Sequence, residues 1–128
     1  MSVSLSVPID RIVQSIRNGD AGGSAWVDCD YPNMIPNRGY CVAVAGHEDI
    51  VDRNDCDDDA LRALIAKKAD YAKSINAKAC VGWWGHDGKV YLDVSVWVAD
   101  RNSAEVMGIC NDQIAIWDIA AGKEISLK

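Results

Sequence analysis

The sequence contains no phenylalanine and only two histidines, and no run of apolar residues approaches the roughly 20 that a membrane-spanning helix needs. A membrane span is therefore not expected. The first residues, Met-Ser-Val-Ser-Leu-Ser-Val, include neither a basic segment nor a long apolar stretch, so we expect no secretory signal. Apolar residues make up 49% of the 128 residues, enough for burial to offset the entropy lost on folding. Length and composition predict a single folded domain, residues 1–128.

Paired cysteines of the C-x-x-C type are also absent. Five cysteines are spread along the chain, and an odd number does not suit a secreted disulfide scaffold. They are Cys29, Cys41, Cys56, Cys80 and Cys110. Most have apolar neighbours in the sequence, which is typical of small core residues. We expect free thiols and a cytoplasmic protein.

Motifs that identify common reactions are missing as well. The chain has no P-loop, no G-x-G-x-x-G after a strand, no H-E-x-x-H and no G-x-S-x-G. A cysteine nucleophile would need His47 or His86 as its base, and scattered carboxylates such as Asp93 would be the other source of acid–base chemistry. An enzyme is therefore the less favoured interpretation, and we expect no catalytic residue and no cofactor.

Negative charge is concentrated in one segment. Within residues 48–59, seven acidic side chains stand against Arg53 alone, a difference equal to the net charge of -6. These acids are Glu48, Asp49, Asp52, Asp55, Asp57, Asp58 and Asp59. Such a run repels nucleic acid and attracts a basic protein surface. The alternative is that the acids cap the helix that follows and are otherwise solvated.

Two metal sites can be tested on ligand spacing. Residues 55–59 begin like a calcium-binding loop, but Ala60 and Ala66 stand where that loop needs Gly and Glu. Residues 41–48 and 80–87 both run from a cysteine to Gly-His-acid, and two such strands side by side would supply a Cys2His2 zinc set. Because each Cys is roughly 20 Å of strand away from its His, one ion cannot bind both without a bend. We expect no metal.

Hydrophobic periodicity predicts the element order α-β-β-α-β-β-α-β. The predicted elements are a helix from Pro8 ending at Asn18–Asp20, a turn at Ala21–Ser24, a strand at Ala25–Tyr31, a loop at Pro32–Arg38, a strand at Gly39–Gly46, a helix from about Asp57 to Ile75, strands at Ala79–Gly85 and Lys89–Val98, a helix capped by Asn102 or Ser103 and ending near Cys110, a strand at Gln113–Ile119 and a short edge at Glu124–Leu127. The Asp87-Gly88 pair predicts a hairpin turn with Gly88 at positive φ. The fold class is α+β, with one mostly antiparallel sheet and about three helices on one face.

Tryptophan dominates the aromatic residues. Trp83 and Trp84 are adjacent, so in a strand they point to opposite faces. Alternation in the hairpin predicts that Trp84, Tyr91 and Trp97 share the face opposite the valines. An exposed cluster of this kind anchors protein interfaces. The alternative is that this face is covered and forms core.

The C-terminal half carries a resemblance. Residues 89–95 read Lys-Val-Tyr-Leu-Asp-Val-Ser, residues 111–118 read Asn-Asp-Gln-Ile-Ala-Ile-Trp-Asp, and residues 122–125 read Gly-Lys-Glu-Ile. With these motifs, about half of the chain resembles small accessory proteins of bacteriophages and prophages, and segments of some large mobile-element proteins. The resemblance implies an accessory protein that acts early in infection or against host defence, in the cytoplasm of the host cell.

The leading hypothesis is a non-enzymatic inhibitor that binds a host defence protein, such as a nuclease or a CRISPR-type complex. The partner is expected to be a basic protein, with no direct contact to nucleic acid or membrane, and the oligomeric state stays open. The predicted binding residues are Glu48, Asp49, Asp52, Asp55, Trp84, Tyr91 and Trp97. The alternatives are a small enzyme or nucleotide-binding protein that uses carboxylates or Cys-His, and a virion or replication accessory protein.

Overall fold

The computed structural model describes residues 5–27, 36–75 and 78–128. Within these residues the helices are α1 (Ile9–Asn18), α2 (Asp58–Ser74) and α3 (Arg101–Cys110). The strands are β1 (Gly22–Trp26), β2 (Tyr40–Ala43), β3 (Asp49–Asp52), β4 (Ala79–His86), β5 (Lys89–Val98), β6 (Ala115–Asp118) and β7 (Lys123–Ser126). The predicted α+β class is confirmed. None of the described helices is long and apolar enough to cross a membrane.

All described strands belong to one antiparallel sheet. The strand order is β1-β4-β5-β2-β6-β7, and β3 pairs with β5. The central β4–β5 hairpin turns at Asp87 and Gly88, whose φ angles are 52° and 75°. Two consecutive positive φ angles give a turn whose twist matches the flanking strands, and Asp-Gly suits it. The predicted hairpin and the positive φ of Gly88 are confirmed.

The three helices pack on one face of the sheet, which is the face that carries the valines of β5. Ile12 of α1 and Ile65 of α2 share a buried cluster with Leu92, and Ala104 of α3 packs with Val42 and Ile116. Each large apolar side chain buried in this way stabilises the fold by roughly 1.5–3 kcal/mol. The helices therefore leave the opposite face of the sheet for other contacts.

Helix ends follow their capping chemistry. Asp57 caps α2 by accepting a hydrogen bond from the amide of Ala60 at 2.7 Å. At α3 the cap is Asp100, which accepts from the amide of Ser103 at 2.8 Å, and not the predicted Asn102 or Ser103. Asp is as good a cap as Asn or Ser, so the helix begins two or three residues earlier than predicted.

The strand β1 begins earlier than predicted. Residues 22–24, predicted as a turn, pair with β4. Gly23 lies against the Trp83 ring, where an added Cβ would stand 2.7 Å from Cζ2. Glycine here permits close packing inside a strand rather than a turn. Of the predicted strand Ala25–Tyr31, residues 28–31 lie outside the described residues, as do residues 32–35 of the predicted loop.

The strand β3 was not predicted at all. Residues 49–52, expected to be part of an acidic loop, pair with residues 92–89 of β5. Five residues separate Ala43 from Asp49, whereas two separate Leu92 from Ser95, so β2 and β3 lie end to end along β5 with a loop bulging between them. The strand was not recognised from the sequence because it begins and ends with Asp, a residue that is depleted in strands.

Candidate functional site

An aromatic stack stands on the face of the sheet opposite the helices. Trp84 and Tyr91 are directly opposite each other on β4 and β5, with ring centroids 4.1 Å apart and planes 9° from parallel. Ile50 of β3 is the neighbour of Tyr91 on its other side. The side chains of Ile50 and Trp84 are 52% and 42% exposed. We call Trp84, Tyr91 and Ile50 the aromatic patch.

Trp97 lies on the same face but plays a different part. It stands six residues along β5 from Tyr91, or roughly 20 Å. Its Nε1–H donates a hydrogen bond to the carbonyl of Arg38 at 2.7 Å, and its ring lies against Gly39. The ammonium of Lys78 is 5.0 Å from the ring centroid, within reach of a cation–π contact. Trp97 therefore fixes the chain where it enters β2 and stands apart from the aromatic patch.

The four predicted acidic binding residues lie in different environments. Asp49 forms an ion pair with Lys68 of α2. Asp52 faces the side of the aromatic patch, and its Oδ1 accepts a hydrogen bond from the amide of Asn54 at 3.0 Å. Glu48 and Asp55 are exposed, and their side chains have no hydrogen bond or ion pair with any described residue. Three of the four acids are thus exposed, and Asp49 serves the fold.

The acids at the start of α2 are also used structurally. Asp58 accepts a hydrogen bond from Nε of Arg17 at 2.8 Å. Arg17 also donates to the carbonyls of Arg53 and Cys56, and so joins α1 to the turn before α2. Asp59 pairs with Arg62 at 3.1 Å. The capping and helix-start part of the alternative therefore holds for residues 57–59, and the exposed Glu48 and Asp55 fit its solvated part as well as a binding role.

The loop at residues 44–48 is anchored to α2. Lys68 is only 5% exposed, and its ammonium donates to the carbonyl of His47 while it pairs with Asp49. The His47 ring stacks on Tyr71 with centroids 3.6 Å apart. A buried lysine is tolerated only when its charge is matched in this way. These contacts set the position of β3 and hence of Ile50.

A carboxyl group lies next to the aromatic patch along β5. The pKa of Asp93 is raised to about 6, first by burial and then by the charge of Glu48, while Lys68 and a hydrogen bond with Ser95 act in the opposite direction. The side chain of Asp93 has no ion pair within 4 Å among the described residues. Gly82 lies directly opposite and leaves room for the carboxylate. A carboxyl with a pKa near neutrality is a feature of functional sites as well as of buried polar clusters.

The thiols of Cys41 and Cys80 are farther along the same face. The interaction with Cys80 lowers the pKa of Cys41, whereas the interaction with Cys41 and burial raise the pKa of Cys80. Their strands, β2 and β4, flank β5 and therefore lie about 9.6 Å apart. A disulfide needs Cα atoms within about 7 Å, so the pair stays reduced unless the backbone moves. Cys110 is exposed at the end of α3, unlike the core position expected for most of the cysteines.

The two histidines are not placed beside these thiols. His47 stacks on Tyr71. The ring centroids of His86 and Trp84 are 6.3 Å apart, and Nε2 of His86 is 3.2 Å from Oδ2 of Asp87. Neither a Cys-His nucleophile nor the Cys2His2 set is assembled in the described part of the chain. In residues 5–27, 36–75 and 78–128, no group of three or more His, Cys, Asp or Glu side chains is arranged to hold a metal ion.

Sequence reasoning missed two exposed apolar features. Ile50 was hidden by its acidic neighbours, although Ile50 and Asp52 alternate with Asp49 and Val51 as in a strand. The outer side of α3 and the residues after it expose three large apolar side chains. They are Val106, Ile109 and Ile114, at 61%, 62% and 69% exposure.

No protein-family model, no curated protein and no solved structure matches this chain.

Proposed function

We propose that this chain is a non-enzymatic binding protein that attaches to a basic surface of a partner protein through the aromatic patch. The observation that carries the proposal is the row formed by Trp84, Tyr91 and Ile50 across three strands, on a face where no described helix packs. Large aromatic and aliphatic side chains held rigidly in a sheet lose little entropy on binding, and they are common energetic anchors of interfaces.

The exposed acids give the patch its electrostatic preference. Glu48, Asp52 and Asp55 are close in sequence to Ile50 and are exposed, while Lys89 is the basic residue opposite Asp52 in the sheet. Like-charge repulsion opposes contact with nucleic acid, and a basic protein surface is favoured. Charges at the rim mainly speed encounter, so association should weaken as salt rises.

The resemblance of the C-terminal half supports the choice of partner class. Accessory proteins of phages act on proteins of the host, and host nucleases and CRISPR-type complexes carry basic nucleic-acid-binding surfaces. We therefore propose a host defence protein of this class as the partner, bound in the host cytoplasm. The chain would occupy the basic surface in place of nucleic acid.

A small enzyme is the second candidate, and the raised pKa of Asp93 favours it. Asp93 lies beside the aromatic patch, and burial together with the charge of Glu48 raises the pKa of its carboxyl. In this case Asp93→Asn would abolish turnover of a small substrate while leaving partner capture unchanged. If the chain is a binding protein, capture of the partner should depend on Trp84, and no turnover should depend on Asp93.

The test is capture from host lysate with matched tryptophan variants. Trp84→Ala removes a side chain of the patch, and Trp117→Ala removes one of nearly equal exposure, 43%, on β6. The wild type and Trp117→Ala should retain the same basic protein, and Trp84→Ala should release it at least tenfold faster. A partner retained equally by Trp84→Ala, or bound independently of salt, would contradict the proposal.

The charge variants must avoid Asp49. Reversing Asp49 to Lys would place two cations together at the buried Lys68 and would test folding instead of binding. Glu48→Lys with Asp55→Lys changes only exposed acids and should slow association severalfold at low salt without lowering the melting temperature. Asp58→Lys is not a substitute, because Asp58 pairs with Arg17.

A further inference from the structure

We infer that the partner contributes an extended basic segment that adds to the free edge of β3 as a further strand. The inference rests on the proposed function and names the mode of binding and the chemistry of the bound segment. It depends on the backbone of β3, on the exposed side chain of Ile50 and on the charges that border the strand.

The backbone of Ile50 points away from the sheet. The amide of Arg53 donates to the carbonyl of Gly88 at 3.0 Å, which marks Arg53 as a hydrogen-bonded position of the β3–β5 ladder. Antiparallel pairs alternate between bonded and non-bonded, so Asp49 and Val51 bond to β5 while Ile50 and Asp52 do not. The N–H and C=O of Ile50 therefore face the outer edge.

This edge is open within the described part of the chain. The strand β3 pairs with β5 alone, and no described strand lies on its outer side. The carbonyl of Asp52 is occupied by the amide of Asp55 at 3.3 Å, but both backbone groups of Ile50 have no partner among the described residues. A row of unpaired donor and acceptor groups is a template for an added strand.

The position of Ile50 distinguishes this edge from the two ends of the sheet. Beside β1, Leu5 forms a bridge with Val27, and the amide of Ser6 donates to the carbonyl of Trp26 at 2.9 Å. At the other end, Ile125 of β7 packs into the core beneath α3. Among the described edges, that of β3 alone carries a large exposed side chain of the aromatic patch, Ile50.

The acidic side chains around β3 favour a basic segment as the added strand. The exposed Asp52 follows the Ile50-Val51 pair and the exposed Glu48 comes two residues before Ile50, whereas Asp49 is already paired with Lys68. A second copy of this strand would bring these acids together, which is how charged edges prevent self-association. Ile50 and Asp52 are on the same face of β3, so the segment that fits has an apolar side chain beside Ile50 and a lysine or arginine two residues away, beside Asp52.

The experiment uses a defined probe, the acetylated and amidated hexapeptide Lys-Thr-Val-Thr-Lys-Thr, whose lysines and valine share one face, with Glu-Thr-Val-Thr-Glu-Thr as its control. Hydrogen exchange of the intact protein is followed by NMR at saturating peptide. The Ile50 amide should exchange at least fivefold more slowly with the lysine peptide. The Ile109 amide, inside α3, and the glutamate peptide serve as negative controls.

Two variants separate the backbone from the side chain. Ile50→Ala keeps the outward amide and removes the apolar contact, whereas Ile50→Pro also removes the amide. Proline is tolerated on an edge strand where the N–H faces solvent, so the β3–β5 ladder should survive, as checked by circular dichroism and the exchange of the Val51 amide. Ile50→Pro should bind the lysine peptide at least fivefold more weakly than Ile50→Ala.

Strand addition is overturned if the lysine peptide does not bind at millimolar concentration, if the glutamate peptide binds equally well, or if the two variants bind alike. It is also overturned if binding leaves exchange of the Ile50 amide unchanged. The proposed function fails separately. Capture of the same host protein by Ile50→Pro and Ile50→Ala, but not by Trp84→Ala, would keep the patch as the binding surface and exclude strand addition.

Discussion

The carboxylate of Asp93 occupies the volume that a side chain at Gly82 would fill. The two residues are directly opposite on β4 and β5, and a Cβ added to Gly82 would stand 2.6 Å from Oδ1 of Asp93. Gly82 therefore has a packing role in the middle of a strand, where glycine otherwise weakens pairing. The same arrangement places the carboxylate over the sheet, where burial raises its pKa.

Gly82→Ala should lower the free energy of unfolding by about 1–3 kcal/mol, because the new methyl group displaces the carboxylate. Asp93→Ala removes the displaced group, so Gly82→Ala should cost much less in the Asp93→Ala background. Urea unfolding of the four proteins measures the coupling. Equal costs of Gly82→Ala in both backgrounds would show that the two residues do not compete for this space.

Asp93 should make stability depend on pH in the acidic range. Its pKa is about 6 in the folded protein against an ordinary value of 3.8, so the folded state holds the proton more tightly. The stabilisation is present below pH 4 and is lost as pH rises through 6. Asp93→Asn should therefore be more stable than the wild type by about 1–2 kcal/mol at pH 7, with the difference shrinking toward pH 4.

Thermal or urea unfolding between pH 4 and pH 7.5 measures this dependence. Glu48→Gln is the matched control, because the charge of Glu48 contributes to the raised pKa of Asp93. It should reduce the effect without abolishing it, since burial is the larger cause. A wild type and an Asp93→Asn variant with parallel stability curves would contradict the prediction.

Gly88→Val should destabilise the protein through backbone conformation alone. Gly88 has a φ of 75°, and nothing lies within 4 Å of a Cβ added there, so no clash contributes. A β-branched residue resists positive φ, and we expect a loss of about 1–2 kcal/mol. Asp87→Asn, at a φ of 52°, is the control and should be near neutral. A harmless Gly88→Val would exclude this turn.

The thiols should differ in reactivity. Cys110 is exposed and Cys80 is 1% exposed. A thiol reagent should therefore label Cys110 within the mixing time of the experiment, whereas Cys80 should react only as fast as the sheet opens locally. Cys110→Ser should remove one fast-reacting thiol. Reductant should leave the melting temperature unchanged, and a drop of more than a few degrees would indicate a disulfide that supports the fold.

Local patterns accounted for the parts of the fold whose partners are close in sequence. The β4–β5 hairpin was predictable because alternation and an Asp-Gly turn act within twenty residues, and the end of α2 followed from its stripe of apolar residues. The shared face of Trp84 and Tyr91 followed from the same alternation.

Contacts between distant segments decided the rest. The pairing of Asp49 with Lys68 cannot be predicted from an acidic run, because it depends on where α2 crosses the sheet. Trp97 was expected on the face of Trp84 and Tyr91 and lies there, but its hydrogen bond to Arg38 depends on how the chain enters β2. The strand β3 depends on β5 as a template, since two acids around Ile50 and Val51 do not favour a strand by themselves.

The aromatic patch is discontinuous in the chain, because its three side chains come from β3, β4 and β5. An unfolded or partly folded copy therefore has no such surface, and a fragment of one strand cannot reproduce it. A partner that binds this patch selects the native state, and at a hundredfold excess over its dissociation constant it would add about 2.7 kcal/mol to the free energy of unfolding. The bound protein would thus outlast the free protein under proteolysis and heat.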